Sequence, residues 1–462
     1  MIKKATSSLL LFMSMAGFLS AQSNWAPVGP SFNSSVEAII TDTSNNIYAA
    51  GSFTMAGTVS RSGIAKWNGS TWTSLGSGMV TGTDIKSIGV YSGNIVATGT
   101  FTNFDSVDCN NIAVWSGSRW ANFGYGLEKY TGATTVSTQI VYGGDLYVAG
   151  TFDHSGSTSL SNIAKWTGSA WVSLGTGING NVNKLVEFNG DLYAAGTFTS
   201  AGGVTVHNIA KWNGSSWSDV GGGVQKYTGA TTVSTMLNFA QALYVGGDFN
   251  MAGSDTVHHL AKWDGTTWTD AGSGTDYTGA TTVSTMFIGY FDNSMITCMH
   301  YQSNMGGADV YKMLVYKSTT GWNSCYTINT PFTATANYNG SLLIGGSFNT
   351  IGSDTIPYLA ELIASNHKSI MLVDNGSSYT LYPNPVENDL WIRFNPGENA
   401  DPQVQLINFT LMDITGREVL QLNNINTDEM HIARNGLSAG MYIYRITNKN
   451  NELIRQGKLT FK

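Results

Sequence analysis

One nine-residue phrase, repeated with small changes, constrains this chain more than anything else in it. It reads IAKWNGSTW (64–72), IAVWSGSRW (112–120), IAKWTGSAW (163–171), IAKWNGSSW (209–217) and LAKWDGTTW (260–268). Worn copies follow at MLVYKSTTGW (313–322) and LAEL (359–362). A second phrase precedes each copy, as in YAAGSF (48–53), YVAGTF (147–152) and YAAGTF (193–198). Successive copies lie 46 to 53 residues apart. A repeat of that length is one supersecondary unit that cannot bury its faces alone and must stack on its neighbours.

Both phrases occur seven times, but a Trp strand follows only six of the IAKW copies. An orphan Trp strand, NWAPVG (24–29), opens the repeat region, and the last repeat lacks one. Pairing the two would remove the open sheet edges of a linear stack. The expected fold is therefore all-β: a seven-bladed β-propeller over residues 22–364, closed by its N-terminal strand. Each blade reads as four short antiparallel strands. In the fourth they are 182–188, 191–198, 207–213 and 216–221, joined first to second by Asn189-Gly190 and third to fourth by Asn213-Gly214. Asn-Gly between strand patterns marks a tight hairpin whose two central residues take positive φ. The glycines before Thr/Ser-Phe are expected to let a neighbouring blade approach closely.

Charged residues make up 11% of the chain and Lys plus Arg number 23, with net charge −7. No basic stripe is present, which argues against a nucleic-acid partner. Lys3, Lys4, the apolar run Leu9–Leu19 and Ser20-Ala21 read as a secretory signal peptide over 1–21. No other stretch has the length of a transmembrane helix. Cys109, Cys298 and Cys325 are an odd set, not a disulfide framework. Cys298 and Cys325 fall on non-adjacent strands of one repeat, so no bridge between them is expected.

No nucleotide loop, nucleophile elbow, zinc-protease motif or EF-hand loop occurs, and no His pair has chelating spacing, so no cofactor or metal is expected. Cys298, His300 and Tyr301 cluster in the sixth repeat, where the consensus has drifted. His258-His259 would point to opposite faces of a strand. The Trp residues read as packing between blades. Lys66, Lys165, Lys211 and Lys262 read as stems along the sheet with their heads in water.

The nonapeptide YTGATTVST exceeds what the fold requires. It recurs unchanged at 130–138, 227–235 and 277–285, in links between blades. Blade-to-blade links and second-to-third loops emerge on one side of such a disc, and recognition concentrates on loops held by a rigid scaffold. The candidate ligand-binding residues are therefore Tyr130, Thr131, Thr134, Tyr227, Thr228, Thr231, Tyr277, Thr278 and Thr281. Rings and hydroxyls suit a polar, neutral ligand, an extracellular glycan or a surface protein. The alternatives are a hydrolase or lyase of extracellular polysaccharide and a structural surface-layer component.

After a polar linker (365–378), residues 379–462 change character and read as a small β-sandwich. Tyr382-Pro383-Asn384-Pro385, the DITGREV run through Gly416, the LSAGMY run through Gly440 and the closing GKLTFK stand in order. Together they resemble the type A C-terminal sorting domain of type IX secretion cargo. The resemblance implies the type IX machinery as partner and passage through periplasm and outer membrane to the cell surface or medium. The repeats over 24–364 resemble kelch-type propellers of the galactose-oxidase central-domain kind and fungal cortical polarity markers. The copper site of galactose oxidase needs two His, two Tyr and a Tyr–Cys crosslink, and no such constellation is legible here. Asp105-Ser106-Val107, Asp255-Thr256-Val257 and Asp354-Thr355-Ile356 resemble the O-glycosylation motif of type IX bacteria.

Overall fold

The computed structural model describes residues 25–42, 44–60, 62–271, 280–289, 294–301, 310–317, 321–338, 341–352, 354–362, 377–382, 389–396, 407–413, 417–425, 429–434, 437–448 and 453–461. Residues 1–21 and 365–376, read above as a signal peptide and as linker, lie outside them. The described residues contain no helix and fold into small antiparallel sheets. In the fourth repeat, Asn181–Phe188, Asp191–Thr197, Ile209–Trp212 and Trp217–Ser218 pair in chain order. Between residues 25 and 362 seven sheets are built on four such strands, and they are numbered here by repeat. Sheet two gains a fifth strand and sheet six a two-stranded ribbon. In sheet seven the fourth strand comes from the other end of the chain: Trp25 pairs with Leu362, Ala26 with Glu361 and Pro27 with Ala360.

In sheets one to five a tryptophan ties the sheet to the repeat before it. The indole N–H of Trp72 donates to the Val28 carbonyl (3.0 Å), Trp120 to Leu75 (2.7 Å), Trp171 to Phe123 (2.9 Å), Trp217 to Leu174 (2.9 Å) and Trp268 to Val220 (2.8 Å). A buried indole N–H needs a partner, and each finds it one repeat back. The ring of each of these residues lies against the preceding IAKW or IAVW indole, with centroids 5.1 to 5.4 Å apart.

Two expectations need correction. The glycines before Thr/Ser-Phe do not make room for a neighbouring sheet. A β-bulge sits opposite them on the first strand of their own sheet, as between Val182 and Lys184. A Cβ on Gly51, Gly150 or Gly196 would fall on the carbonyl oxygen of Ser35, Thr135 or Asn181. The glycines one residue earlier in sheets five and seven do face a neighbour: a Cβ on Gly246 would lie 2.6 Å from Val283 Cγ1, and one on Gly345 2.8 Å from Val36 Cγ1. The lysine heads are also not simply in water. Lys165 Nζ lies 2.5 Å from Asp145 and Lys211 Nζ 3.0 Å from Asp191 on the adjacent strand.

The two turn sets differ. Asn189-Gly190 has φ of 51° and 81°, the positive pair expected of a two-residue hairpin. The third-to-fourth connection is longer, because Trp212 pairs with Trp217 and leaves four residues between. There the Asn213 side chain accepts the N–H groups of Ser215 (3.0 Å) and Ser216 (2.9 Å). In sheet five the tight turn is made by Ala240-Gln241, at φ of 47° and 59°. Each non-glycine residue held there costs roughly 1–2 kcal/mol. Replacing the pair with Asn-Gly should raise stability by about 1–2 kcal/mol in urea unfolding, and an unchanged midpoint would refute the assignment of strain.

Residues 377–461 form two further antiparallel sheets. Ser377–Tyr382, Asp389–Pro396 and Glu429–Ala433 make one, and Ile407–Asp413, Glu418–Ile425, Gly440–Asn448 and Leu453–Phe461 the other. Leu390 and Ile392 from the first share a core with Phe409, Leu411, Tyr442 and Ile446 from the second.

Candidate functional site

The second-to-third loops fold into short hairpins that lie on the preceding link between sheets. Glu128 bridges to His154, Ile178 to Ala201, and Val224–Gln225 pairs with Met251–Ala252. The two loop sets thus share one side of the repeats. Their join is fixed by the residue just before each IAKW or equivalent phrase, which the sequence reading passed over. Gly63, Asn111, Asn162, Asn208, His259 and Tyr358 all take positive φ there, between 59° and 74°. Asn tolerates that conformation, and its amide ties the link down. Asn111, Asn162 and Asn208 donate to the carbonyls of Leu127 (2.7 Å), Ile178 (2.7 Å) and Val224 (2.9 Å). His259 therefore fills a backbone position, and its neighbour His258 bonds through Nδ1 to Asp270 at 2.7 Å.

The nonapeptides sit in these links, but the first two copies find different surroundings. Tyr130 is 70% exposed and stacks on the imidazole of His154, centroids 3.9 Å apart and planes within 10°. Its N–H donates to Asp153 at 3.1 Å, and Asp153 meets His154 Nδ1 at 2.6 Å. Tyr227 is 62% exposed, with its N–H on Asn250 (3.0 Å) and its hydroxyl bonded to Thr256 Oγ1 (2.7 Å). Thr131 and Thr228 are exposed, and Thr134 and Thr231 half-buried. Tyr277 and Thr278 lie outside the described residues, and Thr281 enters the strand Ala280–Gly289. The copies do not converge on one constellation among the described residues. The bond to Tyr227 also engages the hydroxyl of Thr256, and Asp105 accepts the N–H groups of Ser77 (2.5 Å) and Gly78 (3.2 Å).

Thr134 does form part of a cleft of about 310 Å³ between sheets two and three. Thr81, Thr83, Thr102, Asn110, Glu128 and Lys129 line it with Thr134. The cleft exists because the first hairpin of sheet two, Met79–Tyr91 with Asn94–Phe104, outgrows the others and bulges four times. Its walls carry threonine hydroxyls, asparagine amides, one carboxylate and one ammonium, set in a largely apolar surface that includes Phe101 and Ala133.

Charged groups converge at one further place. Lys86 Nζ is 2.5 Å from Asp84 and 4.0 Å from Glu37, on the first strands of sheets two and one. Burial pushes the Asp84 carboxyl up, with Lys86 opposing. Burial works against the Lys86 ammonium, but its bond to Asp84 and the charge of Glu37 raise it above the ordinary lysine value. Burial also pushes the Cys109 thiol up to about 11 and that of Cys298 to about 12, so both are inert, free thiols. The side chains of Cys325, His300 and Tyr301 lie outside the description.

In the C-terminal sheets, Tyr382 ends its strand paired with Trp391, and Gly440 opens the strand Gly440–Asn448 opposite Phe461. Asp413 closes the turn of the DITGREV run by accepting the N–H (3.2 Å) and Nε (3.0 Å) of Arg417. Pro383, Asn384, Pro385 and Gly416 lie outside the described residues. Residues 380–458 match the secretion system C-terminal sorting domain. The protein is thus secreted through the type IX system to the cell surface or medium, and the machinery of that system is its partner. Among the described residues no helix is long and apolar enough to cross a membrane.

No curated protein matches the chain in sequence. Among solved structures it is similar to the extracellular domain of a hybrid two-component system of B. thetaiotaomicron, at 12% identity and a TM-score of 0.41. That alignment covers 93% of this chain and 57% of the other, so the chain spans little more than half of it. A second such domain gives 12% identity over 92% and 72% of the two chains, with a TM-score of 0.21. A Bombyx mori GH32 β-fructofuranosidase in complex with sucrose gives 11% over 93% and 81%, with a TM-score of 0.27. Likenesses this distant carry no argument about ligand or activity.

Proposed function

We propose that residues 22–364 are a seven-bladed propeller of kelch-like repeats that binds a neutral glycan, or the surface of another protein, outside the cell without transforming it. The pairing of Trp25–Pro27 with Leu359–Leu362 supports closure of the ring. So does the packing of first strands one against the next, with Phe332–Tyr338 of the last sheet against Val36–Thr41 of the first. A signal peptide over 1–21 and a linker over 365–378 before the sorting domain complete this organisation.

The observation that carries the binding reading is the cleft at Thr134. Hydroxyls and amides are set in its largely apolar walls, and within its link the exposed Tyr130 ring is held by His154. A ring fixed in place is a stacking surface that needs little ordering on binding, and sugars present both an apolar face and hydroxyls. A glycan array with the secreted protein should give hits among neutral oligosaccharides. Tyr130→Ala should then weaken binding about tenfold while leaving the melting temperature nearly unchanged, since the ring is exposed. Full affinity in that variant would remove the cleft from consideration.

A further inference from the structure

Tyr125 is the most exposed large hydrophobic side chain among the described residues, at 78%, and Tyr130, further along the same link, comes next. The fold does not call for a ring at 125. That residue sits in the turn after the Trp strand, where other turns of the same kind hold Pro30, Ser77, Thr176 and Gly222. One exposed apolar side chain is ordinary on any surface. Two in one link, with their rings held against one hairpin, are not.

The hairpin is that of sheet three, in which His154–Ser155 pairs with Thr158–Ser159. The Tyr130 ring stacks on His154. The Tyr125 ring lies over Gly156 at the tip, where a Cβ would fall 3.0 Å from its Cγ and Cδ2. Any side chain at 156 would push that ring away. The two supports are two residues apart, about 7 Å along an extended strand. The same link walls the cleft through Glu128, Lys129, Ala133 and Thr134. Asn110, also in that wall, donates through Nδ2 to the Tyr125 carbonyl at 3.4 Å. The acidic groups beside Tyr130 are engaged. Asp153 accepts the Tyr130 N–H and meets His154 Nδ1 at 2.6 Å, and His154 Nε2 lies 3.9 Å from Glu128.

We propose that Tyr125 and Tyr130 form a two-ring platform that carries an unbranched neutral oligosaccharide out of the cleft at Thr134, so that the site takes a chain and not a single sugar. This deepens the glycan reading above and rests on it. A cleft of about 310 Å³ is at the small end of ligand sites, so a longer chain has to leave it, and the link bearing both rings is one of its walls. Rings already held in place stack on the apolar faces of sugars with little ordering cost. Two stacking points on one ligand reinforce each other, because the second contact is made within the complex.

The test uses the full secreted protein with cellohexaose, laminarihexaose, mannohexaose and xylohexaose, each beside its disaccharide, read by calorimetry. At least one hexasaccharide should bind, and at least about tenfold tighter than its disaccharide. Tyr125→Ala should weaken that hexasaccharide about tenfold while leaving the disaccharide and the melting temperature unchanged, so that the dependence on chain length disappears. Tyr125→Phe, which keeps the ring, should retain it. Tyr130→Ala should weaken both lengths, as the binding reading above requires. Equal binding of the two lengths by the native protein, or full hexasaccharide affinity in Tyr125→Ala, overturns the platform and leaves the cleft standing. A loss in Tyr125→Phe as large as that in Tyr125→Ala overturns stacking as its basis. If none of the four hexasaccharides binds, the platform falls, and hits on the array among other neutral oligosaccharides then decide whether the glycan reading falls with it.

Discussion

A chain ending at Leu362 will be made and will fold, but it will accumulate in the periplasm instead of reaching the surface or medium. Residues 380–458 are the sorting domain, and the machinery reads that domain, not the repeats. Its core is its own, built from Leu390, Ile392, Phe409, Leu411, Tyr442 and Ile446. Among the described residues the packing clusters of the seven sheets draw only on residues 25–362, so removing it should leave them intact. Fractionation of a type IX-competent host should show the truncated protein almost wholly cell-associated. Its melting transition should match that of the same segment in the full protein. Normal surface delivery of the truncated chain would contradict the assignment. A collapsed transition would contradict the independence of the two parts.

The repeats made the sheets legible because their information is local and doubled. The paired indoles of the first five repeats, the Asn189-Gly190 turn and the alternation in Asn181–Phe188 each name a strand or its end. The unpaired Trp strand at 24–29 named its partner by elimination, and Trp25–Pro27 does pair with Leu359–Leu362. What escaped was written in single residues with two readings. The glycine of AGTF could face either a neighbouring sheet or its own, and only the bulge at Val182/Lys184 decides. The Asn before IAKW reads as part of the third strand, yet its φ and its bond to the preceding link make it the hinge pin of the join in sheets two to four. The nonapeptide shows the opposite failure, since identical sequence did not give an identical environment. Tyr130 stacks on His154, whereas Tyr227 finds Asn250 and Thr256, because the partner comes from the following hairpin, where the repeats differ. The cleft was illegible for a related reason: the long hairpin of sheet two reads locally like any other.

Deleting residues 22–30 should cost the protein more than any change on its surface. Trp25 and Val28 are each 5% exposed, and they sit in two different core clusters, one shared with sheet six and one with sheet one. Truncating a buried Trp alone costs about 3–5 kcal/mol. The deletion also removes the Val28 carbonyl to which the Trp72 indole donates at 3.0 Å, and an orphaned buried donor costs about 1–3 kcal/mol. It exposes the edge of Leu359–Leu362 as well, which in the intact chain is covered. The sum, about 4–8 kcal/mol, is comparable with the whole net stability of an ordinary domain. The deleted protein should therefore unfold at markedly lower denaturant, or aggregate through the new edge. Trp72→Phe should cost less in the deleted background than in the intact one, because its partner is already gone. An unchanged midpoint on deletion, or equal costs of Trp72→Phe in both backgrounds, would mean that the N-terminal strand does not hold the last sheet to the first.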